Sequence, residues 1–299
     1  MAFEATESDY ELKIDSKNAK GDFLPGTNIE IIREPVGRGK YRHALFDFDG
    51  TISLIREGWP EIMSPLMLEA LSCTPACEPE DELNAFVRDL ILSTTGKQTI
   101  YQMIALCKAV EQRGGTCRDP LDYKTEYINR LMAHIDHKRK ALRSGGASPE
   151  SMLVKGSIRL LEGFRAKGVK LYLASGTDEM YVKEEAGLLN LTQYFDGHIY
   201  GAIDDYLNYS KQMVIERILK GNSVGGHELL GFGDGYVEID NTKASGGTGI
   251  GVASDETGKS GLPDRWKRER LIGVGADIII PDFSDADALI EYLFPSSLA

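Results

Sequence analysis

The chain has 299 residues, 42% hydrophobic and 27% charged, which is ordinary for a globular protein. Its length predicts about two domains and a core that needs neither disulfides nor structural metal. A formal net charge of −12 argues against a nucleic-acid partner, which needs a concentrated basic surface.

No apolar run approaches the roughly 20 residues of a membrane span, so no membrane partner is expected. The opening stretch "MAFEATESDYELKIDSKNAK" lacks the apolar centre of a secretory signal. Cys73, Cys77, Cys107 and Cys117 show no CxxC pairing. They are expected to be reduced, in a cytoplasmic protein. Pro75 between Cys73 and Cys77 argues against a helical ligand pair, so no zinc site is expected.

Residues 1–40 read as an irregular or extended arm. "LPGTN" is a turn, "NIEIIRE" is strand-like, and "GRGK" at Gly37–Lys40 reads as a flexible connector. From Tyr41 onward, short apolar runs alternate with helical patterns. The runs are "HALFDF", "VKLYLAS", "GHIYGAI", "ELLGFGD", "TGIGVAS" and "ADIIIPD". Such nearly continuous apolar runs are typical of strands buried on both faces. Ser157–Lys167, Asp178–Leu189 and Ser210–Leu219 are helix candidates between them. The alternation predicts a doubly wound α/β fold, a mostly parallel, Rossmann-like sheet with helices on both faces.

About a hundred residues separate the first two of these strands, whereas a crossover needs around thirty. Helical stripes fill the gap: Leu83, Phe86, Val87, Leu90 and Ile91; Ile100, Met103, Ile104 and Cys107; Ile128, Leu131, Met132 and Ile135. Residues 57–149 are therefore expected to form an inserted helical domain, with "SGGASP" at Ser144–Pro149 as its return hinge. The α/β core would comprise 41–56 and 150–299. His134 and His137 read as a surface pair, and the "RWKRER" of Arg265–Arg270 as a solvated helix face.

Ligands of open α/β sheets sit at the carboxyl ends of strands. The first strand there supplies Asp47 and Asp49. The second supplies Ser175, Gly176 and Thr177. The helix after the third opens with Ser210 and Lys211, and the fourth strand supplies Asp234 and Glu238. Clustered carboxylates resist joint ionisation unless a cation is present. Mg²⁺ suits them, because it favours oxygen ligands and keeps waters and a phosphate oxygen. Ser175, the backbone around Gly176, and Lys211 are donors suited to an anion. Metal and donors around one carboxylate describe a phosphoryl-transfer site.

In that order, "DFDGT", "LASGT", the lysine of "YSKQMVIERIL" and "GFGDGYVE" resemble the four motifs of the haloacid dehalogenase-like phosphohydrolase superfamily. The resemblance runs from about Tyr41 to the C-terminus. Its layout is similar to the β-phosphoglucomutase and phosphoglycolate phosphatase branch, where the insertion is an α-helical cap. It implies Asp47 as nucleophile, Asp49 as general acid and base, Ser175 as phosphoryl binder and Lys211 as the cation at the nucleophile. It implies Mg²⁺ held by Asp47, the Asp49 backbone carbonyl and Asp234. Glu238 takes a position where aspartate is common, leaving open direct ligation or contact through water.

"STTGKQT" at Ser93–Thr99 lacks the glycine and hydroxyl spacing of a P-loop. Instead, Gly96 interrupts two patterned helices, so Lys97 and Gln98 are expected to read the untransferred part of the substrate. The reading is a Mg²⁺-dependent phosphatase of a small phosphorylated metabolite, with sugar phosphates as a candidate class. The alternatives are a sugar-phosphate mutase and a silent phosphometabolite-binding protein. The motifs set neither the substrate nor the oligomeric state.

Overall fold

The computed structural model describes residues 9–223 and 225–295. Its strands form one eight-stranded sheet. Two short strands, β1 (Asp22–Phe23) and β2 (Glu30–Ile31), pair as an antiparallel hairpin. β3 (His43–Phe46) follows, with all four residues buried. The chain then enters four helices: α1 (Trp59–Ser72), α2 (Glu80–Thr94), α3 (Thr99–Gln112) and α4 (Pro120–Ser144). The predicted apolar stripes supply their buried faces, including Leu83, Val87, Ile91, Met103, Leu131 and Ile135. This is the inserted helical cap.

Gly145 ends α4 in the left-handed conformation that glycine adopts at little cost. The outgoing and returning chains then lie side by side. Leu54 N–H donates to the Met152 carbonyl, and Val154 N–H donates to that of Ile52, both at 2.9 Å. The crossing into the core thus falls a few residues beyond the glycine-rich hinge expected from the sequence.

The core continues with α5 (Ser157–Ala166), β4 (Lys170–Asp178), α6 (Glu179–Leu188), α7 (Thr192–Phe195), β5 (Ile199–Ala202) and α8 (Lys211–Asn222). β6 (Leu229–Gly233), α9 (Tyr236–Ala244), β7 (Thr248–Val252), α10 (Arg265–Gly273), β8 (Ile278–Ile280) and α11 (Ala286–Leu293) complete it. The sheet order is β1-β2-β8-β7-β6-β3-β4-β5. From β8 to β5 every pairing is parallel. β3 lies between β4 and β6, so the winding reverses beside it and opens a crevice at its carboxyl end.

Three expectations are corrected. The segment before Tyr41 is more than an irregular or extended arm, and its strand-like "NIEIIRE" contains β2. β2 pairs antiparallel with β8 and extends the sheet, and Arg268 grips Glu30 through two bonds of 2.6 and 2.7 Å. The "GRGK" stretch is pinned, with Gly39 N–H bonded to the Leu293 carbonyl at 2.8 Å and Arg38 to that of Tyr292 at 2.6 Å. Cys107 and Cys117 are not both reduced. The α3–α4 turn brings their Cα atoms to 5.3 Å and they form a disulfide, while Cys73 and Cys77 stay free.

His134 and His137 are exposed on α4. Among the described residues, no helix is long and apolar enough to cross a membrane.

Candidate active site

Asp47 lies just past the end of β3, where the strand's last backbone bond, Asp47 N–H to the Phe232 carbonyl, fixes it at 2.9 Å. The next turn is tight. Gly50 has φ 75°, and a Cβ there would sit 2.3 Å from Asp234 Oδ2. Only glycine lets the first and fourth motifs approach so closely. Thr51 Oγ1 accepts the Asp234 N–H at 2.9 Å, which joins the same two loops again.

One cavity of about 90 Å³ collects the motif residues: Asp47, Asp49, Ser175, Gly176, Thr177, Lys211 and Asp234 all line it. Lys211 Nζ donates to Asp47 Oδ1 at 3.0 Å in a fully buried contact. Asp49 Oδ2 accepts from Thr177 Oγ1 at 2.8 Å and from Ser175 Oγ at 3.3 Å. Lys97 of the cap also lines the cavity.

Each motif aspartate leans on one cation, and each cation on one glutamate, buried for Glu238 and Glu185 and half-buried for Glu256. Lys211 joins Asp47 to Glu238. Arg56 stands 3.7 Å from Asp49 Oδ1 and makes a two-bond pair with Glu185 at 2.9 and 3.0 Å. Lys267 bonds Asp234 Oδ2 at 2.8 Å and Glu256 Oε1 at 2.6 Å. Three cations face six carboxyl groups, a formal excess of three negative charges were all of them ionised.

That excess shows at Asp47. Burial pushes its carboxyl up to about 7; Lys211 opposes the rise, and the Asp234 and Asp49 charges add to it. Arg56 is instead held more firmly protonated: burial opposes its charge, but the Glu185 and Asp49 carboxylates outweigh it.

The donor set fits a hard divalent cation. It is all oxygen, carries surplus negative charge, and includes Asp49 Oδ1, a buried atom without a hydrogen-bond partner. Among the described residues no three ligating side chains converge into a closed cage. Mg²⁺ needs none, since it keeps waters and takes substrate oxygens.

The structure brings together Asp47, Asp49, Ser175, Gly176, Thr177, Lys211 and Asp234 as the motifs predicted. It turns two other candidates elsewhere. Glu238, fully buried, pairs with Lys211. Gln98, also fully buried, donates to the Tyr209 carbonyl at 3.0 Å and so ties the cap loop to the core. Lys97 extends its ammonium to Asp9 at 2.5 Å, a partner from the N-terminal segment.

The cap is closed. Its loop meets the core backbone at two glycines, because a Cβ on Gly235 would lie 2.8 Å from Gly96 Cα and one on Gly176 2.9 Å from the Lys97 carbonyl oxygen. Lys124 of α4 pairs with Asp178 at 2.6 Å across the same junction.

Sequence reasoning missed Arg56, Glu185, Ser254, Glu256 and Lys267. Ser254 and Glu256 follow β7, so the strand-end rule applied to "TGIGVAS" and the residues after it would have found them. Lys267 sat in "RWKRER", expected to be a solvated face. That expectation is corrected. Lys267 reaches the site, Arg268 holds Glu30, and Arg270 lies 4.1 Å from the Tyr10 ring and bonds the Ser93 carbonyl at 2.9 Å. Long basic stems crossing to buried carboxylates leave no apolar stripe to read.

Carboxylates and a buried lysine at the switch point of a parallel sheet, under an inserted cap, define an α/β enzyme with a lidded site. The chain belongs to the haloacid dehalogenase-like hydrolases, whose family model matches residues 41–246. No curated relative matches the chain by sequence.

Solved structures share the fold at low identity. A predicted phosphoglycolate phosphatase from Haemophilus somnus 129pt is 14% identical with a TM-score of 0.53, covering 84% of this chain and 98% of its own. β-Phosphoglucomutase from Clostridium difficile is 15% identical with a TM-score of 0.51, covering 74% and 89%. CbbY from Rhodobacter sphaeroides, in complex with xylulose-(1,5)bisphosphate, is 16% identical with a TM-score of 0.54, covering 82% and 96%.

Proposed function

We propose that the protein is a Mg²⁺-dependent phosphatase of a small phosphorylated metabolite and works through a phosphorylated Asp47. The observation that carries this reading is the buried Lys211–Asp47 contact of 3.0 Å, facing a cavity that also holds Asp49 and its two hydroxyl partners. A carboxylate so held points one oxygen at a fixed cation and leaves the other to attack.

In this reading Asp47 attacks phosphorus in line with the ester oxygen. Asp49 gives its proton to the departing alkoxide and then takes one from the water that cleaves the acyl phosphate. Ser175 and Lys211 hold phosphoryl oxygens as charge shifts onto them. Arg56, 3.7 Å from Asp49 Oδ1, steadies the Asp49 charge between the two proton transfers. Asp47, the Asp49 backbone carbonyl and Asp234 would hold Mg²⁺, which supplies charge neutralisation for the nucleophile and the transferring phosphoryl group. Glu238 serves Lys211 in this scheme.

The cap loop keeps bulk water out, and Lys97 meets an anionic or hydroxyl-bearing remote part of the substrate. Gln98 acts indirectly, by fixing the loop that carries Lys97. The likeness to CbbY, solved with a sugar bisphosphate, supports a sugar phosphate as substrate class.

The test is phosphate release over a panel of sugar phosphates and other phosphate esters with Mg²⁺ present. Free phosphate should appear in step with substrate loss. An isomeric ester with negligible free phosphate would transfer the reading to a mutase, and no turnover of any ester would sink both.

A further inference from the structure

Lys267 is a site cation that the four motifs do not supply, and it bonds the fourth-motif aspartate directly. It comes from the first turn of α10, and its side chain is 12% exposed. All three of its N–H bonds find acceptors: Asp234 Oδ2 at 2.8 Å, Ser254 Oγ at 3.0 Å and Glu256 Oε1 at 2.6 Å. The ammonium is therefore fully engaged. Ser254 Oγ in turn donates to the Gly50 carbonyl at 2.7 Å, so the group is locked to the turn that follows Asp47 and Asp49. The Gly50 turn leaves no slack, since a Cβ there would stand 2.9 Å from Glu256 Oε1.

We propose that Lys267 and Glu256 are a built-in charge regulator of the metal position. Lys267 holds Asp234 and lowers the affinity of the site for a divalent cation. Glu256 draws on the same ammonium and so leaves Asp234 enough charge to bind metal. Lys267 is a positioning residue here, acting through Asp234. The inference rests on the metal-dependent reading above.

A fixed positive charge hydrogen-bonded to a ligand oxygen repels an incoming cation and competes for that oxygen. Burial sharpens both effects, because solvent screens them less. Removing the Lys267 charge should therefore strengthen metal binding. Removing the Glu256 charge leaves Lys267 to Asp234 alone and should weaken it. Loss of a merely structural contact would weaken binding in both variants.

The test is calorimetric titration of the full chain with Mn²⁺ and no substrate, with thermal melting as a check on folding. Lys267→Met should bind Mn²⁺ at least tenfold more tightly than the unsubstituted protein, and Glu256→Gln at least several-fold more weakly. The double variant should remain tighter than the unsubstituted protein. Its return to unsubstituted affinity would mean that a freed Glu256 had become a ligand, and would overturn the role given to Lys267. Equal or weaker binding by Lys267→Met would overturn it as well. If Lys267→Met does not fold, Glu256→Gln decides, and unchanged or tighter binding there refutes the proposal. Mn²⁺ binding by the unsubstituted protein keeps the metal reading intact whichever way the variants fall; no binding at all would remove both.

Discussion

Asp47 is buried among charges of its own sign. It ends β3 beside Asp49 and Asp234, with Lys211 as its direct cation. Asp47→Asn should abolish phosphate release while melting near the temperature of the unsubstituted protein, because the amide keeps the shape but is a poor nucleophile. A variant with full turnover would falsify the covalent route. The raised carboxyl also gives a stability signature in metal-free protein. Its folded value of about 7 lies above the unfolded value of about 4. Between these two values the folded state binds the extra proton, so stability falls as pH rises through that window. The melting temperature in excess chelator should thus drop from pH 4.5 to pH 7 by more than it does for Asp47→Asn. Identical slopes would mean that Asp47 ionises freely.

The α2–α3 turn is the element that closes the site. Gly96 has φ 96° and faces Gly235 at close quarters. Gly96→Ala puts a Cβ 3.1 Å from Gly235 Cα and forces alanine into a left-handed conformation costing about 1–2 kcal/mol. We expect kcat/KM to fall about tenfold with little change in the melt, because the strain falls on cap closure; the check is steady-state kinetics beside thermal melting. Lys97→Ala should lower kcat/KM for the true substrate by the equivalent of about 1.5–3 kcal/mol, the range of a charge-assisted bond. It should scarcely affect a small aryl phosphate. Equal losses on both substrates would assign Lys97 to the closed cap rather than to specificity. Asp9→Ala frees the Lys97 ammonium and should not lower either rate.

Across the whole molecule, the N-terminal hairpin, α10 and the site are one charged assembly. Arg268 secures β2 through Glu30, while Lys267, one residue earlier, secures Asp234. Arg268→Ala leaves Glu30 with its carboxylate buried and without its guanidinium partner. It should destabilise the fold by about 3 kcal/mol, measurable by denaturant unfolding. At the same scale, chelation should abolish turnover and Mg²⁺ restore it. Ca²⁺ should serve poorly, because it prefers more ligands at longer distances. Undiminished activity in excess chelator would remove the metal from the scheme.

The strands were legible because buried parallel strands must be apolar throughout, as "HALF" and "III" are. The cap helices were legible from a periodicity that a single packed face imposes. Asp47, Asp49, Ser175, Lys211 and Asp234 were legible because strand ends dictate where ligands go and because their spacing is local. What only the tertiary structure decided is which distant groups meet. Glu185 reaches Asp49 through Arg56, Glu256 reaches Asp234 through Lys267, and Glu238 turns to Lys211. Long polar side chains carry no periodic signature, and the folded backbone alone sets whether their ends lie in solvent or against a buried charge. The same holds for β2, whose two-residue strand forms on the β8 edge, and for Cys107 and Cys117, which the α3–α4 turn brings within bonding range.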